Sequence, residues 1–284
     1  MRAFLAQKFP AYPDLTSIAF QQETILGVQP DYKIPYSLNT SVGATHRIGH
    51  VTMRADYVHT HTYDASTGPD TNWMVNAAGQ YVRKDPRYAN VTLVGNGGFI
   101  NYNGLESRIE YEPAGGTARA GLSYTLAKAT SNTSTGLSTG GITNPFDFNE
   151  DLGPDNNDRR HNVVFDASYI VPKLDVQFAG LASYRSALPY SVTTSVQLDS
   201  DPFTDRPEPR NSRRGAEENN VDFRVSKIFR FGGKYSATAF WEMFNVFNSD
   251  NWLRFQGSLQ SATFGLPLTE GPKRRQQLGF RFDF

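Results

Sequence analysis

Several groups of side chains in this 284-residue chain have types and spacings that suit chemistry. Carboxylates crowd one stretch, at Asp147, Glu150, Asp151, Asp155 and Asp158. Their oxygens suit a hard cation such as calcium, but the glycine and ligand spacing of an EF-hand loop is missing. A solvated loop is the expected reading. His46, His50, His59 and His61 lie close in sequence, and His59 and His61 would share one face of a strand and could offer both rings to a metal. The chain has no cysteine, no firm carboxylate partner completes the set, and interfacial histidines are expected instead. Arg210, Arg213 and Arg214 with Glu217 and Glu218 read as a solvated mixed-charge loop. Serine, histidine and aspartate are all present without the strand-turn-helix elbow of a hydrolase nucleophile. No catalytic residue, metal ligand or cofactor site is expected, and the chain is not expected to be an enzyme. A different set remains. Arg54, Asp56, Arg119, Asp166, Arg224, Glu242 and Arg281 each fall inside a stretch where apolar and polar residues alternate.

That alternation identifies the elements that carry them. Val51, Met53, Ala55 and Tyr57 alternate with Thr52, Arg54 and Asp56, a period of two that marks a strand with unlike faces. The same pattern runs through 117–130, 161–170, 174–185, 221–230, 235–243 and 277–284, and more weakly through 37–47 and 99–112. Roughly nine strands result, of the ten-odd-residue length that a tilted membrane span needs. Composition agrees. Hydrophobic residues make up only 38%, yet aromatics reach 13%, as expected where only every second strand residue meets hydrocarbon and rings sit at the interface. No run approaches the ~18 apolar residues of a membrane-spanning helix. The 28 basic and 28 acidic residues cancel, so nothing favours nucleic acid as a partner.

Connections alternate between short and long. Short ones fall near 48–50, 113–116, 171–172 and 232–233; long ones near 62–98, 131–160, 186–219 and 248–274. A barrel of the outer membrane has this asymmetry, with short periplasmic turns and long outer loops. The expected fold is therefore all-β: part of an antiparallel transmembrane β-barrel, with residues 37–284 as its C-terminal portion and 1–36 as an extracellular loop or incomplete first strand. The long loops are rich in Asn, Ser, Thr and Gly, with low complexity in TSNTSTGLSTGG, and are expected to pack no core and to move. The opening MRAFLAQKFPAYPDLTS is too weakly apolar for an export signal, so the chain reads as a fragment of a longer protein.

The most specific motif is the ending QLGFRFDF, with Leu278, Phe280, Phe282 and Phe284 on one strand face. Outer-membrane barrels commonly end this way, which implies recognition of this strand by the barrel assembly machinery. The stretch VDFRVSKIFRFGGKYSATAFWEMFNVFNSDNW resembles the penultimate hairpin of TonB-dependent receptors through Arg224, Ser226, Lys227, Phe229, Glu242, Phe244, Asn245, Phe247, Asn248 and Asn251. GPDNNDRRHNVVFDASYIVP is similar to a loop-to-strand segment of the same family through Gly153, Pro154, Asp158, Arg159, Arg160, His161, Tyr169 and Pro172. PDYKIPYSLNTSVGATHRIG resembles a strand of the receptors whose plug follows a carboxypeptidase-regulatory-like domain. The resemblance implies a Gram-negative outer-membrane transporter that takes up a scarce solute, with membrane lipid, a plug domain and the TonB complex as partners. A TonB box and plug are not seen in this sequence. In that setting the seven charges would line the lumen, either contacting plug or solute or only wetting the interior. Two alternatives stand beside it. A small complete barrel serving as adhesin or anchor needs a further strand within 1–35 that closes against Phe284. A soluble β-sandwich would bury Leu278, Phe280 and Phe282 under protein.

Overall fold

A computed structural model describes residues 22–133, 142–198, 202–203 and 206–284. Most of the N-terminal segment and of the low-complexity TSNTSTGLSTGG stretch lies outside the described residues. The strands are β1 (Glu23–Val28), β2 (Tyr36–Ile48), β3 (Val51–Thr67), β4 (Trp73–Val75), β5 (Tyr81–Arg83), β6 (Tyr88–Tyr111), β7 (Ala118–Ser131) and β8 (Gly153–Pro154). They continue with β9 (His161–Val171), β10 (Val176–Arg185), β11 (Pro189–Tyr190), β12 (Arg213–Arg214), β13 (Glu218–Phe231), β14 (Tyr235–Phe244), β15 (Trp252–Phe255), β16 (Pro267–Glu270) and β17 (Arg275–Asp283). A single 3-10 turn spans Phe148–Asp151. No described helix is long and apolar enough to cross a membrane, and crossing by strands is a separate matter.

Nine of these strands form one sheet in the order β17-β14-β13-β10-β9-β7-β6-β3-β2, each antiparallel to its neighbours. Sequence order equals spatial order once the short loop strands are set aside, the meander that short turns of two to six residues at one end of the sheet allow. Gly232 and Gly233, at φ 58° and 80°, let the chain reverse between β13 and β14 in a backbone region that side chains disfavour. β1 adds to the outer part of β6 in parallel, and β8 to the end of β7. Among the described residues β2 pairs only with β3 and β17 only with β14, so the sheet has two open edges. β1 pairs with β6 and not with β17, so the closure required by the small complete barrel is not made by the described residues.

The register sorts side chains onto two unlike faces. Leu278 faces Trp241, Trp241 faces Val225, Val225 faces Phe178, and Phe178 faces Tyr169, an apolar row across five strands. Leu278, Phe280 and Phe282 are 78%, 75% and 71% exposed, which overturns the soluble-sandwich alternative, since that fold required them covered. An all-β wall with one such face is a membrane β-barrel wall.

Two expectations need correction. The loop expected at 62–98 is largely strand: β3 runs on to Thr67 and β6 begins at Tyr88. A bulge between Thr62 and Ala65, where Asp64 takes φ 52°, breaks the period of two and hides the continuation. An apolar band of about 25 Å needs roughly ten tilted residues, so the 24-residue β6 extends well beyond it. The loops expected to be solvated and coreless are also packed. The most deeply buried side chains include Ser131, Asp151 and Thr67, and the buried set is mainly polar. A lipid-facing wall keeps its apolar residues outside, so the protein-covered core shifts to where loops cover one another.

Candidate functional site

The face opposite the apolar row carries the charges. Arg119 faces Ser168, Ser168 faces Ala179, Ala179 faces Arg224, Arg224 faces Glu242 and Glu242 faces Gln277. One step along, Glu110, Gly121, Asp166, Leu181 and Asp222 form a second row. Small residues between the long ones leave a recess of about 280 Å³ that Arg119, Asp166, Arg224 and Glu242 all line. Arg54 and Asp56 line a separate recess of about 450 Å³ with Glu106 and Arg108. Arg281 stands apart on β17 and pairs with Asp283 at 2.7 Å. All seven sequence-predicted charges thus share one face, but only four of them share a cavity.

Most are already paired. Arg54 meets Asp56 at 2.6 Å along β3, and Arg224 meets Glu242 at 2.7 Å between β13 and β14. Glu242 also accepts from Gln277, and Arg224 lies over the Phe240 ring at 4.2 Å. Arg108 is the hub that sequence reasoning missed. Its guanidinium reaches Glu110 at 2.7 Å, Ser123 at 2.7 Å and Asp166 at 3.3 Å, joining β6, β7 and β9, while Arg119 reaches Glu110 at 3.4 Å. Planar guanidinium forks suit such bridging better than a lysine point charge. The signal existed, since Arg108 and Glu110 are two apart in the weakly alternating 99–112 segment.

The terminal aromatics lie on the other face, as Leu278 opposite Trp241 and Phe280 opposite Ala239. Phe284 is almost fully exposed beyond the end of β17.

Over one end of the charged face the long loops lock together through a buried polar cluster. Arg210, only 6% exposed, donates to the carbonyls of Ser131, Asp151 and Thr133, each at 3.0 Å, and to Asn156 Oδ1 at 3.3 Å. Burial pushes its guanidinium below its ordinary pKa, and the Asp151 and Asp155 carboxylates pull it back up. Asp151 accepts from Arg206 Nη1 at 2.7 Å and from Thr143, and Asp158 takes Arg214 and the Ala129 N–H at 2.6 Å. The acidic stretch and the arginine stretch, both expected to be solvated, are therefore each other's partners. Arginines, backbone N–H groups and the Asn144 and Ser131 side chains donate to these carboxylates, and no described group of three or more His, Asp or Glu gathers as a metal site. His59 and His61 make hydrogen bonds to Asn103 and Asn101, and His61 stacks on Phe99 and meets Tyr63 at a tilt.

The asparagines of the NVFN stretch act as clamps. Asn245, buried at φ 52°, donates to the Ser249 and Pro272 carbonyls and accepts from the Ser249 N–H, while its own N–H reaches Asp222 at 2.9 Å. Asn248 accepts from the Arg274 N–H, and Asn251 pairs with the Asn219 backbone. Together they fix where the chain leaves β14 and re-enters β17.

The family described as Outer membrane beta barrel domain matches residues 2–209. Among solved structures, the outer membrane transporter YddB from Escherichia coli matches with TM-score 0.65 and 15% identity, over 93% of this chain and 34% of that one. An FrpB iron transporter from Neisseria meningitidis matches with TM-score 0.55 and 15% identity, over 92% and 33%. The siderophore receptor PirA from Acinetobacter baumannii matches with TM-score 0.54 and 12% identity, over 89% and 32%. The chain spans about a third of the length of these structures. No curated protein sequence matches it significantly. At such identities the likeness concerns the fold.

Proposed function

We propose, from the premise that this chain belongs to the outer membrane beta barrel domain family, that it forms the C-terminal wall and outer loops of a TonB-dependent transporter. The protein resides in the Gram-negative outer membrane. One observation carries the proposal: a nine-stranded meander with an apolar face, a charged face and two open edges. Unpaired strand edges in hydrocarbon cost several kcal/mol per backbone group. Such a wall calls for further strands to close it, and the solved transporters it overlays are about three times as long.

In this reading the charged face is the lumen, with Arg54, Asp56, Arg119, Asp166, Arg224, Glu242 and Arg281 as lining. The aromatic face meets lipid, and Leu278, Phe280, Phe282 and Phe284 present the terminal strand to the barrel assembly machinery. Residues 37–284 are wall and loops, with 1–36 as an extracellular loop or incomplete first strand. The work is binding and passage of a scarce solute, without covalent chemistry. A plug in the lumen and the TonB complex would supply gating and energy. Internal pairing of the charges suits passage, because a satisfied ladder holds a moving solute weakly.

Whole-cell uptake tests this. Labelled candidate solutes, iron chelates first, are offered to cells with and without the protein, each with and without TonB. Uptake that needs both is expected, and in-frame deletion of 186–219 abolishes it. Uptake that persists without TonB would overturn the transporter reading, and uptake that survives the deletion would remove that loop from the solute site.

A further inference from the structure

Where the charged face reaches the loop side, a recess of about 230 Å³ opens between the ends of β10, β13, β14 and β17. Arg185 ends β10, Glu218 opens β13, and Arg275 opens β17, all on the charged face; Lys273 comes from the loop before β17. The carboxylates here are engaged elsewhere. Glu218 holds Arg159 in close contact. Asp222 accepts from Asn220 Nδ2 at 2.8 Å and from the Asn245 N–H at 2.9 Å. Lys273 is held in close contact by Asp250 and Glu270, so only the two arginines are less satisfied. Arg185 comes no nearer than 3.8 Å to Glu218, beyond hydrogen-bond reach. Arg275 lies 5.6 Å from the Phe244 ring centroid and forms no ion pair among the described residues. Deeper on the same face, Arg54, Arg108, Arg119, Arg224 and Arg281 all have carboxylate partners. Free guanidinium donors therefore collect in the recess at the mouth.

We propose that this recess is an anion subsite, in which Arg185 and Arg275 take a carboxylate or phosphate group of the entering solute. A guanidinium fork matches the two oxygens of such a group, and the bonds are charge-assisted. The Asn245 and Asn251 clamps hold the loop that roofs the recess, so its walls are set before a ligand arrives. The inference rests on reading the charged face as a lumen and adds the chemical class of what enters it.

The test uses the full-length protein that carries this chain, purified in detergent, and titrates inorganic phosphate, citrate and glucose by calorimetry at low salt. Phosphate and citrate are expected to bind at one site, and glucose not to bind. Arg185→Gln and Arg275→Gln each weaken phosphate about tenfold, the loss of roughly one charge-assisted bond. Arg275→Lys, which keeps charge and loses the fork, falls between. Arg213→Gln, which removes an equal charge from the exposed loop surface, leaves binding unchanged. Absence of phosphate and citrate binding overturns the proposal, as does equal weakening by Arg213→Gln, which would mean a diffuse ion atmosphere. Glucose binding that Arg275→Gln leaves intact would make the recess a neutral polar site and overturns it too. Because no uptake is measured, these failures leave the transporter reading standing, and TonB-independent uptake would leave the anion subsite standing.

Discussion

Arg210→Ala would unfasten the outer loops while leaving the wall intact. The Arg210 side chain ties 131–133, 151 and 156 to the 206–214 segment through five donor contacts. Ser131 is fully buried, and Asp151 and Thr133 are 1% and 2% exposed, so three carbonyls would lose a donor that bulk water does not replace. Each such orphaned group costs about 1–3 kcal/mol. Breaking a buried charged network by removing one member costs about 3–5 kcal/mol. Part of the sum relaxes as the loops open, so a local destabilisation of about 3–4 kcal/mol is expected. At about 1.4 kcal/mol per decade that is a two- to three-decade loss of amide protection in 142–158 and 206–215. Hydrogen exchange read by mass spectrometry on the protein in detergent reports it by segment. β9, β10, β13 and β14 should keep their protection, because their ladder bonds do not pass through Arg210. Arg213→Ala, which removes only an exposed pair with Glu208 at 2.5 Å, should leave exchange nearly unchanged. Unaltered loop protection in Arg210→Ala would refute the buried-clamp argument. Equal loss in the wall strands would refute the independence of loops and wall.

Three further outcomes follow from the same geometry. Leu278→Arg places a charge on the lipid face and is expected to cost about 2–4 kcal/mol at mid-bilayer, abolishing heat-modifiable barrel on gels, whereas its neighbour Gln277→Arg on the charged face is expected to assemble; equal behaviour would mean the faces are assigned wrongly. Asp85 is held down to about 2 by the Arg87 side chain and backbone N–H. Burial opposes a similar shift at Asp70, yet the Val91 and Asn72 N–H groups and Arg83 lower it. Both carboxyls are depressed, so their contribution is complete above about pH 4 and fades as pH falls below that, through about 2 for Asp85; the β4–β5 hairpin should become protease-sensitive in that window, and sensitivity already at pH 6 would contradict the sign. Asn245→Gly keeps the φ 52° conformation but loses the clamp bonds, so it should raise exchange in 249–274 and leave β13 protected; no change there would make the clamp idle.

The wall was legible in the sequence because its physics is periodic. Alternation at 51–57, 161–170 and 235–243 specifies which side chains meet hydrocarbon, and β3, β9 and β14 follow it closely. The same rule placed all seven charges on one face. It failed where the period carries no apolar signal. At 88–98 the strand reads YANVTLVGNGG, stands beyond the band and is flanked by a bulge, so it looked like a loop. The loop cluster was illegible for a different reason. Asp151 and Arg206, or Asp158 and Arg214, lie 55 and 56 residues apart and meet only because neighbouring strands deliver their loops to one place. Composition describes such residues as solvated, and only topology pairs them.

That separation bears on how selectivity would be divided in the proposed transporter. A lumen face whose deeper arginines are paired with carboxylates, Arg108 and Arg119 sharing Glu110, presents little net field and few free donors. Its contribution is wetting and rigidity. The loop cluster is closed in the same sense, with Arg206, Arg210 and Arg214 all consumed internally. Free donors occur between these two satisfied layers, at Arg185 and Arg275, where strand ends and loop meet. Affinity comes from donors that a ligand completes, whereas pairs already satisfied must be broken before they help. Recognition should therefore concentrate at the mouth. Neutralising a deep pair such as Arg224 and Glu242 together should change solute affinity less than replacing Arg275 alone, even though it removes two charges rather than one. An affinity loss of the reverse order would mean that the ladder opens to bind, and that the pairing seen between β13 and β14 is a resting state of the path.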